Sequence, residues 1–403
     1  MRARIASDVG GTFTDNIAYD PVSRRVAVSK VPTTPQARDI GTVDGLRAAL
    51  AQLHLTGRSV AYVGHGMTTA TNAVIQRTGA RTAFVTNRGF RDLLLIGRQD
   101  RPSLYDTEVV RAPLLVPRAL SYAIAGRLDP EGREIEPLDM STLAEAAADM
   151  RAEHVEAVAV AFLHAYANPA HERAAKAVLE RHLPGVPVCI SSDILREFRE
   201  FERASAATLN AYLTPVIAGY LGALSRRLKD TRSGLGIAPD TPIMVMDAAG
   251  GLMTVETALA KPVHTVLSGP AGGVIAGAHF ARLAGAANAI TMDIGGTSTD
   301  ISLVRNGRPE TTRAARIGQI PIRLPAIDIV AIGAGGGSVA WIDDGGALRV
   351  GPSSAEAVPG PASYGLGGTR PTVTDANVVL GRLGAETRLG GALSLDPAVA
   401  RAA

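Results

Sequence analysis

The sequence predicts an α/β protein of at least two domains, and three observations lead there. Its 403 residues exceed the roughly 250–300 at which single cores stop growing. Apolar residues at strand spacing alternate with stretches at helical spacing, as in a sheet with helices on its faces. An eight-residue segment near the N-terminus also recurs in the second half, which implies two related units. Apolar residues make up 46% and charged residues 20%, so the chain can bury substantial cores and is not expected to be disordered.

Residues 3–9 alternate into a strand, Gly10-Gly11 marks a hairpin, and a second strand follows at Asn16–Tyr19. The turn Asp20-Pro21 leads to a third strand, Arg25–Lys30. Ile40–Leu53 has apolar residues at helical spacing, Val60–Val63 is a strand, Thr68–Arg77 a helix and Thr82–Thr86 a strand. Asn87–Glu136, rich in Arg and Pro, is expected to be irregular and to lie over a domain surface. Alternation resumes with a helix at Leu143–Glu153, a strand at Ala157–Phe162, a helix at Pro169–His182 and a strand at Val186–Ser191.

A domain break is expected within Ser191–Glu200, giving units 1–192 and 193–403. The second opens on a helical region, Phe201–Lys229, interrupted at Pro215. A strand at Ile243–Met246, the turn Ala249-Gly-Gly251, a helix near Val255–Leu259 and another from Pro270 to Ala284 follow. A strand–hairpin–strand unit then spans Ala289–Ile294 and Thr299–Val304. Gly333–Gly391 is dominated by Gly and Pro, but interleaved apolar residues and Trp341 favour ordered loops around a ligand over a flexible linker. Pro397–Ala402 begins a fresh helical pattern, and the second unit is expected to be incomplete at its C-terminus.

Composition narrows the partners. Net charge is +3 with basic residues scattered, and the densest run, Arg196–Arg203, mixes both signs, reading as a solvated helix face rather than a nucleic-acid stripe. Cys189, in an apolar run, is expected to be a buried structural thiol. Arg2 and Arg4 lead to Asp8 with no apolar core of a signal peptide, and no stretch approaches the ~20 apolar residues of a membrane span. The chain reads as cytoplasmic, with neither nucleic acid nor membrane as partner.

The repeat carries the chemistry. Asp8-Val-Gly-Gly-Thr-Phe-Thr-Asp15 matches Asp293-Ile-Gly-Gly-Thr-Ser-Thr-Asp300 at six of eight positions. Gly10, Gly11, Gly295 and Gly296 let backbone N–H groups approach phosphate oxygens, and Thr12, Thr14 and Thr297 add hydroxyl donors. Asp8 and Asp293, each at a strand end, suit Mg²⁺, which takes a few carboxylates plus phosphates and waters. Two such hairpins on separate domains would hold one polyphosphate, as in ATP, from both sides.

Other motifs are less specific. No Gly-x₄-Gly-Lys-Ser/Thr loop is present, and Gly333-Ala-Gly335-Gly336-Gly337-Ser338 has Ser at the third glycine of a dinucleotide fingerprint. It reads better as a loop close to a flat ligand such as adenine. Ser268-Gly-Pro-Ala-Gly-Gly273 opens a helix, either as an anion site or with glycines for helix packing. Gly64–Asn72 is a substrate or phosphate loop or an N-cap. Within it His65 orients a carbonyl, acts as an acid, or is a hydrogen-bonded structural histidine. No Cys/His/Glu set has metal spacing.

Together, Asp8–Asp15, Gly64–Asn72, Gly89–Pro102, His164–Glu172, Ser268–Gly273, Asp293–Asp300, Gly333–Ser338 and Pro371–Asn377 resemble the hydantoinase A/5-oxoprolinase family, in order over nearly the whole chain. The resemblance implies the fold of the actin, sugar-kinase and heat-shock-chaperone ATPases, two RNase-H-like domains around an ATP cleft. It places Asp8–Thr12 and Asp293–Thr297 as the phosphate loops and Gly333–Gly337 near the adenosine. The implied reaction is ATP-dependent opening of a cyclic amide (a hydantoin, 5-oxoproline or similar lactam), completed with a B-type subunit in a hetero-oligomer. Acetone carboxylases use a related subunit to activate a ketone. Four places depart from the family pattern: Met67 for a usual Thr, Asp247–Ala249 for a usual Ser and Asn, Glu356 for a usual Gly and Ser363 for a usual Cys.

Overall fold

The computed structural model describes residues 3–10, 13–34, 37–100, 105, 108, 113–232, 234–317, 320–356, 358–384, 386, 388–389 and 393–403. Ala3–Val9 buries Ala3, Ile5 and Val9 on one face by simple alternation. It pairs antiparallel with Phe13–Asp20, which pairs antiparallel with Arg25–Pro32. Its other edge pairs parallel with Val60–Met67. Ile243–Met246 and Leu252–Thr254 complete a six-stranded sheet. These two strands come from beyond Ser191–Glu200, so the first sheet draws on both sides of that segment. Helix Arg38–Gln52 covers one face; a Cβ on its Gly45 would lie 2.0 Å from Asn16 Nδ2, so glycine is what lets the helix sit down.

Between Val60–Met67 and the long helix the chain builds a second sheet, four strands all parallel, in the order Val188–Ile190, Ala157–Val160, Thr82–Asn87, Ser121–Ile124. The strand Ser121–Ile124 corrects the expectation for Asn87–Glu136: that segment contributes Leu120 and Ile124 to the core. Only four residues long, the strand gives too little alternation to recognise.

Helix Glu200–Lys229 runs 30 residues straight through Pro215, where a break was expected. It is a wall shared by two cores. Leu209, Leu213, Ile217 and Leu221 pack under the first sheet, while Ala204, Ala207 and Ala211 pack under the second. Burial on both sides outweighs the one hydrogen bond a proline removes.

Its first turn overturns the reading of Arg196–Arg203 as a solvated face. Arg203 is 1% exposed. It donates from Nε to Ser191 Oγ, from one terminal nitrogen to the Glu197 carbonyl and from the other to the Phe162 carbonyl, at 3.0, 2.9 and 2.6 Å. Buried Glu172 accepts from the Phe162 and Ser192 amides and from Ser191 Oγ, so Ser191 bridges the two charges. Cys189 is half-buried against Asn210 and Thr214, and burial raises its thiol pKa, in keeping with a structural role.

The third sheet opens the second half: Ala289–Ile294, Thr299–Arg305 and Arg308–Pro309 run antiparallel, with Ile329–Ile332 also on Thr299–Arg305. Helix Ser268–Leu283 covers one face so closely that a Cβ on Gly277 would lie 2.4 Å from Thr291 Cγ2. The opposite face is uncovered: Ile290, Met292, Ile294, Leu303, Val330 and Ile332 are all exposed. The Gly-rich stretch holds the strand pair Ser338–Ile342/Leu348–Ser354 and helix Val373–Val379. No helix among the described residues is long and apolar enough to cross a membrane.

Candidate functional site

The duplication extends from residue identity to hydrogen bonds. Asp8 pairs with Asp15 and Val9 with Thr14; Asp293 pairs with Asp300 and Ile294 with Thr299. Each turn closes from the third residue to the sixth: the Gly10 amide donates to the Phe13 carbonyl at 3.0 Å and the Gly295 amide to the Ser298 carbonyl at 2.9 Å. Gly11 and Thr12 lie outside the described residues.

The hairpins meet electrostatically at Asp8. Its carboxylate is reached by water yet ringed by protein atoms. Desolvation, then the charges of Asp15 and Asp293, raise its pKa to about 6, against a smaller opposing pull from Lys30. Asp300 is also raised, by desolvation and then by Asp293. Lys30 reaches both carboxylate oxygens of Asp15 at 2.9 Å and lies 5.2 Å over the Phe13 ring. Gly66, opposite Asp8 in the parallel ladder, makes room for it: a Cβ there would fall 2.8 Å from Asp8 Oδ1.

Thr14 does not fit the expected role of phosphate donor. It is fully buried, its hydroxyl 3.0 Å from that of Thr33, which donates to the Gly10 carbonyl. The equivalent Thr299 donates to the Ala334 carbonyl. In both copies the second threonine is buried and braces the hairpin by a side-chain hydrogen bond instead of standing open to a ligand. In the second hairpin Asp293, Gly295, Gly296 and Thr297 are open to solvent, and nothing lies within 4 Å of where a Gly296 Cβ would stand.

Helix Ser268–Leu283 ties the two hairpins together. Its Gly269 packs on Thr68, whose amide and hydroxyl both donate to the Val9 carbonyl, while its Gly277 packs on Thr291, two residues before Asp293. The Leu267 amide, at the helix start, donates to Thr71 Oγ1. The Gly64–Asn72 motif therefore joins the helix to the first hairpin.

The Gly333–Gly337 loop holds the second hairpin in place. The Gly336 and Gly337 amides donate to the Gly295 and Gly296 carbonyls at 2.8 and 2.6 Å. A Cβ on Gly335 would stand 2.7 Å from the Gly295 carbonyl oxygen and 2.8 Å from the Ser298 nitrogen. Gly335 and Gly337 are buried and Gly333 is exposed, so Gly333 alone of the terminal positions keeps an open face. Gly335→Ala is expected to push the loop off the hairpin, costing about 1–3 kcal/mol as overpacking does. Thermal denaturation reads the loss, and nucleotide affinity should fall with it.

His65 is buried, with Ser7 Oγ 2.8 Å from Nδ1 and the Tyr220 hydroxyl 2.9 Å from Nε2. Desolvation lowers its pKa to about 4, so it is neutral at physiological pH. Of the readings open for it, a hydrogen-bonded structural histidine is the one this geometry matches. It fixes Ser7, the residue before Asp8.

Sequence reasoning missed Lys30 and Thr33, which carry no motif signal of their own, and the role of Gly66 within the Gly64–Asn72 motif. It also missed Asp375, which accepts from the Ala362, Ser363 and Thr372 amides and completes a capping box with Thr372; the spacing Thr372-x-x-Asp375 was the available signal. Neighbouring Thr374 braces the glycine loop through the Gly336 carbonyl. Among the departures, Met67 lies in the core and Asp247 closes its own turn through the Ala249 amide. Ser363 is buried, and Glu356 stands at φ +54, where glycine is free of strain.

A mixed first sheet and an antiparallel third sheet that open on the same hairpin, coupled electrostatically through Asp8 and Asp293, match the actin-like ATPase fold. The sequence profile of Hydantoinase/oxoprolinase matches residues 203–403, and that of the Hydantoinase/oxoprolinase N-terminal region matches residues 4–183. The chain belongs to the hydantoinase/oxoprolinase family. It is 37% identical to caprolactamase subunit alpha of Pseudomonas jessenii over 98% of this chain and 56% of that one. It is 34% identical to 5-oxoprolinase of Saccharomyces cerevisiae over 94% of this chain and 32% of that one. The crystal structure of the ATP-dependent Pseudomonas jessenii caprolactamase matches with a TM-score of 0.83 over 98% of this chain and 57% of that one. Nucleotide-free acetone carboxylase matches with 0.82 at 28% identity, over 99% and 57%. The chain thus spans little more than half the length of the caprolactamase subunit.

Proposed function

We propose that this chain binds Mg-ATP between its two hairpins and phosphorylates the carbonyl oxygen of a cyclic amide (a hydantoin, 5-oxoproline or similar lactam) so that water can open the ring. The observation that carries the reading is the pair of hairpins with one register and one turn closure, coupled through Asp8 and Asp293. An unstrained amide carbonyl is a poor electrophile, and phosphorylating its oxygen creates a leaving group. Such a transfer asks the protein for positioning and charge neutralisation rather than a nucleophile.

The residues fit that demand. The crowding of Asp15 and Asp293 around Asp8 leaves an excess of negative charge that a cation would relieve. Asp8 and Asp293 would hold Mg²⁺, which when bound neutralises phosphate charge. Gly296 and Thr297 would face the phosphates, with Gly11 and Thr12 on the other side and Gly333 toward the nucleoside. Gly10 and Gly295 shape the turns, their amides being already bonded.

A hetero-oligomer with a B-type subunit is part of the proposal. The caprolactamase relative is named as a subunit, and the uncovered apolar face of the third sheet is surface that another polypeptide layer would bury. The test is ATP turnover by the chain with a B-type hydantoinase subunit against a panel of hydantoins, 5-oxoproline and caprolactam. Turnover should rise with a cyclic amide. No amide-dependent turnover across the panel would overturn the reading. Bicarbonate-dependent ATP consumption with acetone would instead identify a ketone-activating subunit.

A further inference from the structure

The four-stranded parallel sheet has a site of its own. The chain leaves Thr82–Asn87 for Ser121–Ile124 on one side, then crosses to Ala157–Val160 and on to Val188–Ile190 on the other. The connections from the two central strands therefore diverge, and in open parallel sheets such a reversal opens a crevice over the strands' carboxyl ends, where ligands bind. Asn87 holds that crevice in shape. Its Nδ2 donates to the Gly126 carbonyl and its Oδ1 accepts from the Leu163 amide, both at 2.6 Å.

The residues delivered there come from segments that the nucleotide cleft does not use. Gly89, at φ +89, has open space where a side chain would stand. Beside it the Arg127 guanidinium lies 5.3 Å over the Phe90 ring. Arg127 has no ion-pair partner among the described residues; the nearby carboxylate of Asp129 is held by Arg133 at 2.6 Å. His164 stands at φ +59, a strained conformation for a residue with a side chain, and its ring lies edge-on to Tyr166. Its Nδ1 is shielded from water and makes no hydrogen bond. Burial and then the charges of Arg127 and Arg203 lower its pKa, against an opposing pull from Asp129 and Glu131. Arg203 adds charge, while each of its nitrogens makes a hydrogen bond within the fold.

We infer that this crevice is a second binding site, taking a small carboxylate on the Arg127 fork with His164 beside it. A guanidinium oriented on an aromatic ring and lacking a carboxylate of its own matches a planar, bidentate anion. His164 adds a strained backbone position beside that guanidinium. The inference does not depend on the amide chemistry proposed for the hairpins.

Calorimetric titration of the whole chain with acetate, succinate and inorganic phosphate tests it, on the wild type, Arg127→Gln and Arg127→Lys. One saturable carboxylate site is expected. Arg127→Gln should weaken it about tenfold or more, the effect of losing a charge-assisted bidentate contact. Arg127→Lys, which keeps the charge but not the fork, should fall between. Mg-ATP affinity should be unchanged in both variants, which also reports that they fold. No saturable carboxylate binding, or equal binding by wild type and Arg127→Gln, would overturn the site. Phosphate binding tighter than either carboxylate and lost in Arg127→Gln would overturn the carboxylate assignment.

Discussion

Asp8→Asn should lower Mg-ATP affinity by about ten- to a hundredfold and, in the free protein, raise the melting temperature above pH 6. Both effects have one cause. Asp8 is held near Asp15 and Asp293 in a poorly solvated position, which lifts its pKa from 3.8 to about 6. A carboxyl whose folded pKa is raised favours the fold when protonated; that contribution is complete below pH 3.8 and is lost as pH rises through about 6. Ionised Asp8 is therefore a burden on the unliganded fold at neutral pH, tolerated because the same charge suits a cation. The melting-temperature gain of the variant should be absent below pH 3.8 and full above pH 6, as read by calorimetry across that window. A variant with unchanged nucleotide affinity, or one less stable at pH 7.5, would remove Asp8 from the site.

Arg203→Ala should destabilise the protein by about 3–5 kcal/mol, the cost of stripping one partner from a buried charge network. Its nitrogens donate to Ser191, Glu197 and Phe162, and buried Glu172, whose pKa burial already raises, would lose the cation beside it. The network sits where the parallel sheet meets the long helix, so its loss should separate the two cores that share that helix. Urea denaturation measures it, with Arg349→Ala as reference. Arg349 is 60% exposed and pairs with Asp343, and its removal should stay within about 1 kcal/mol.

The Arg203 network also marks where the sequence stopped being informative. Residues 196–203 mix both signs and read as a wet surface, because most of the groups that hold Arg203, namely Ser191, the Phe162 carbonyl and nearby Glu172, lie outside that run. The duplicated hairpin was legible because its chemistry is local: glycines at the turn and aspartates at the strand ends act within eight residues. Thr14 and Thr299 show the limit of that local view. Both belong to the repeat, and only their hydrogen bonds to Thr33 and to the Ala334 carbonyl reveal that they brace the hairpins instead of meeting phosphate. The Gly333–Gly337 loop was read as passing close to a flat ligand. What it approaches most closely is the backbone of the second hairpin, a partner nearly forty residues away that spacing cannot name.

The most direct test of the two-sided clamp is hydrogen exchange of the free and Mg-ATP-bound chain, followed by mass spectrometry on peptides covering Asp8–Asp15 and Asp293–Asp300. Protection of both hairpins together, at one nucleotide concentration dependence, is the predicted result. Protection of one hairpin alone, or of neither while nucleotide is bound, would contradict the clamp.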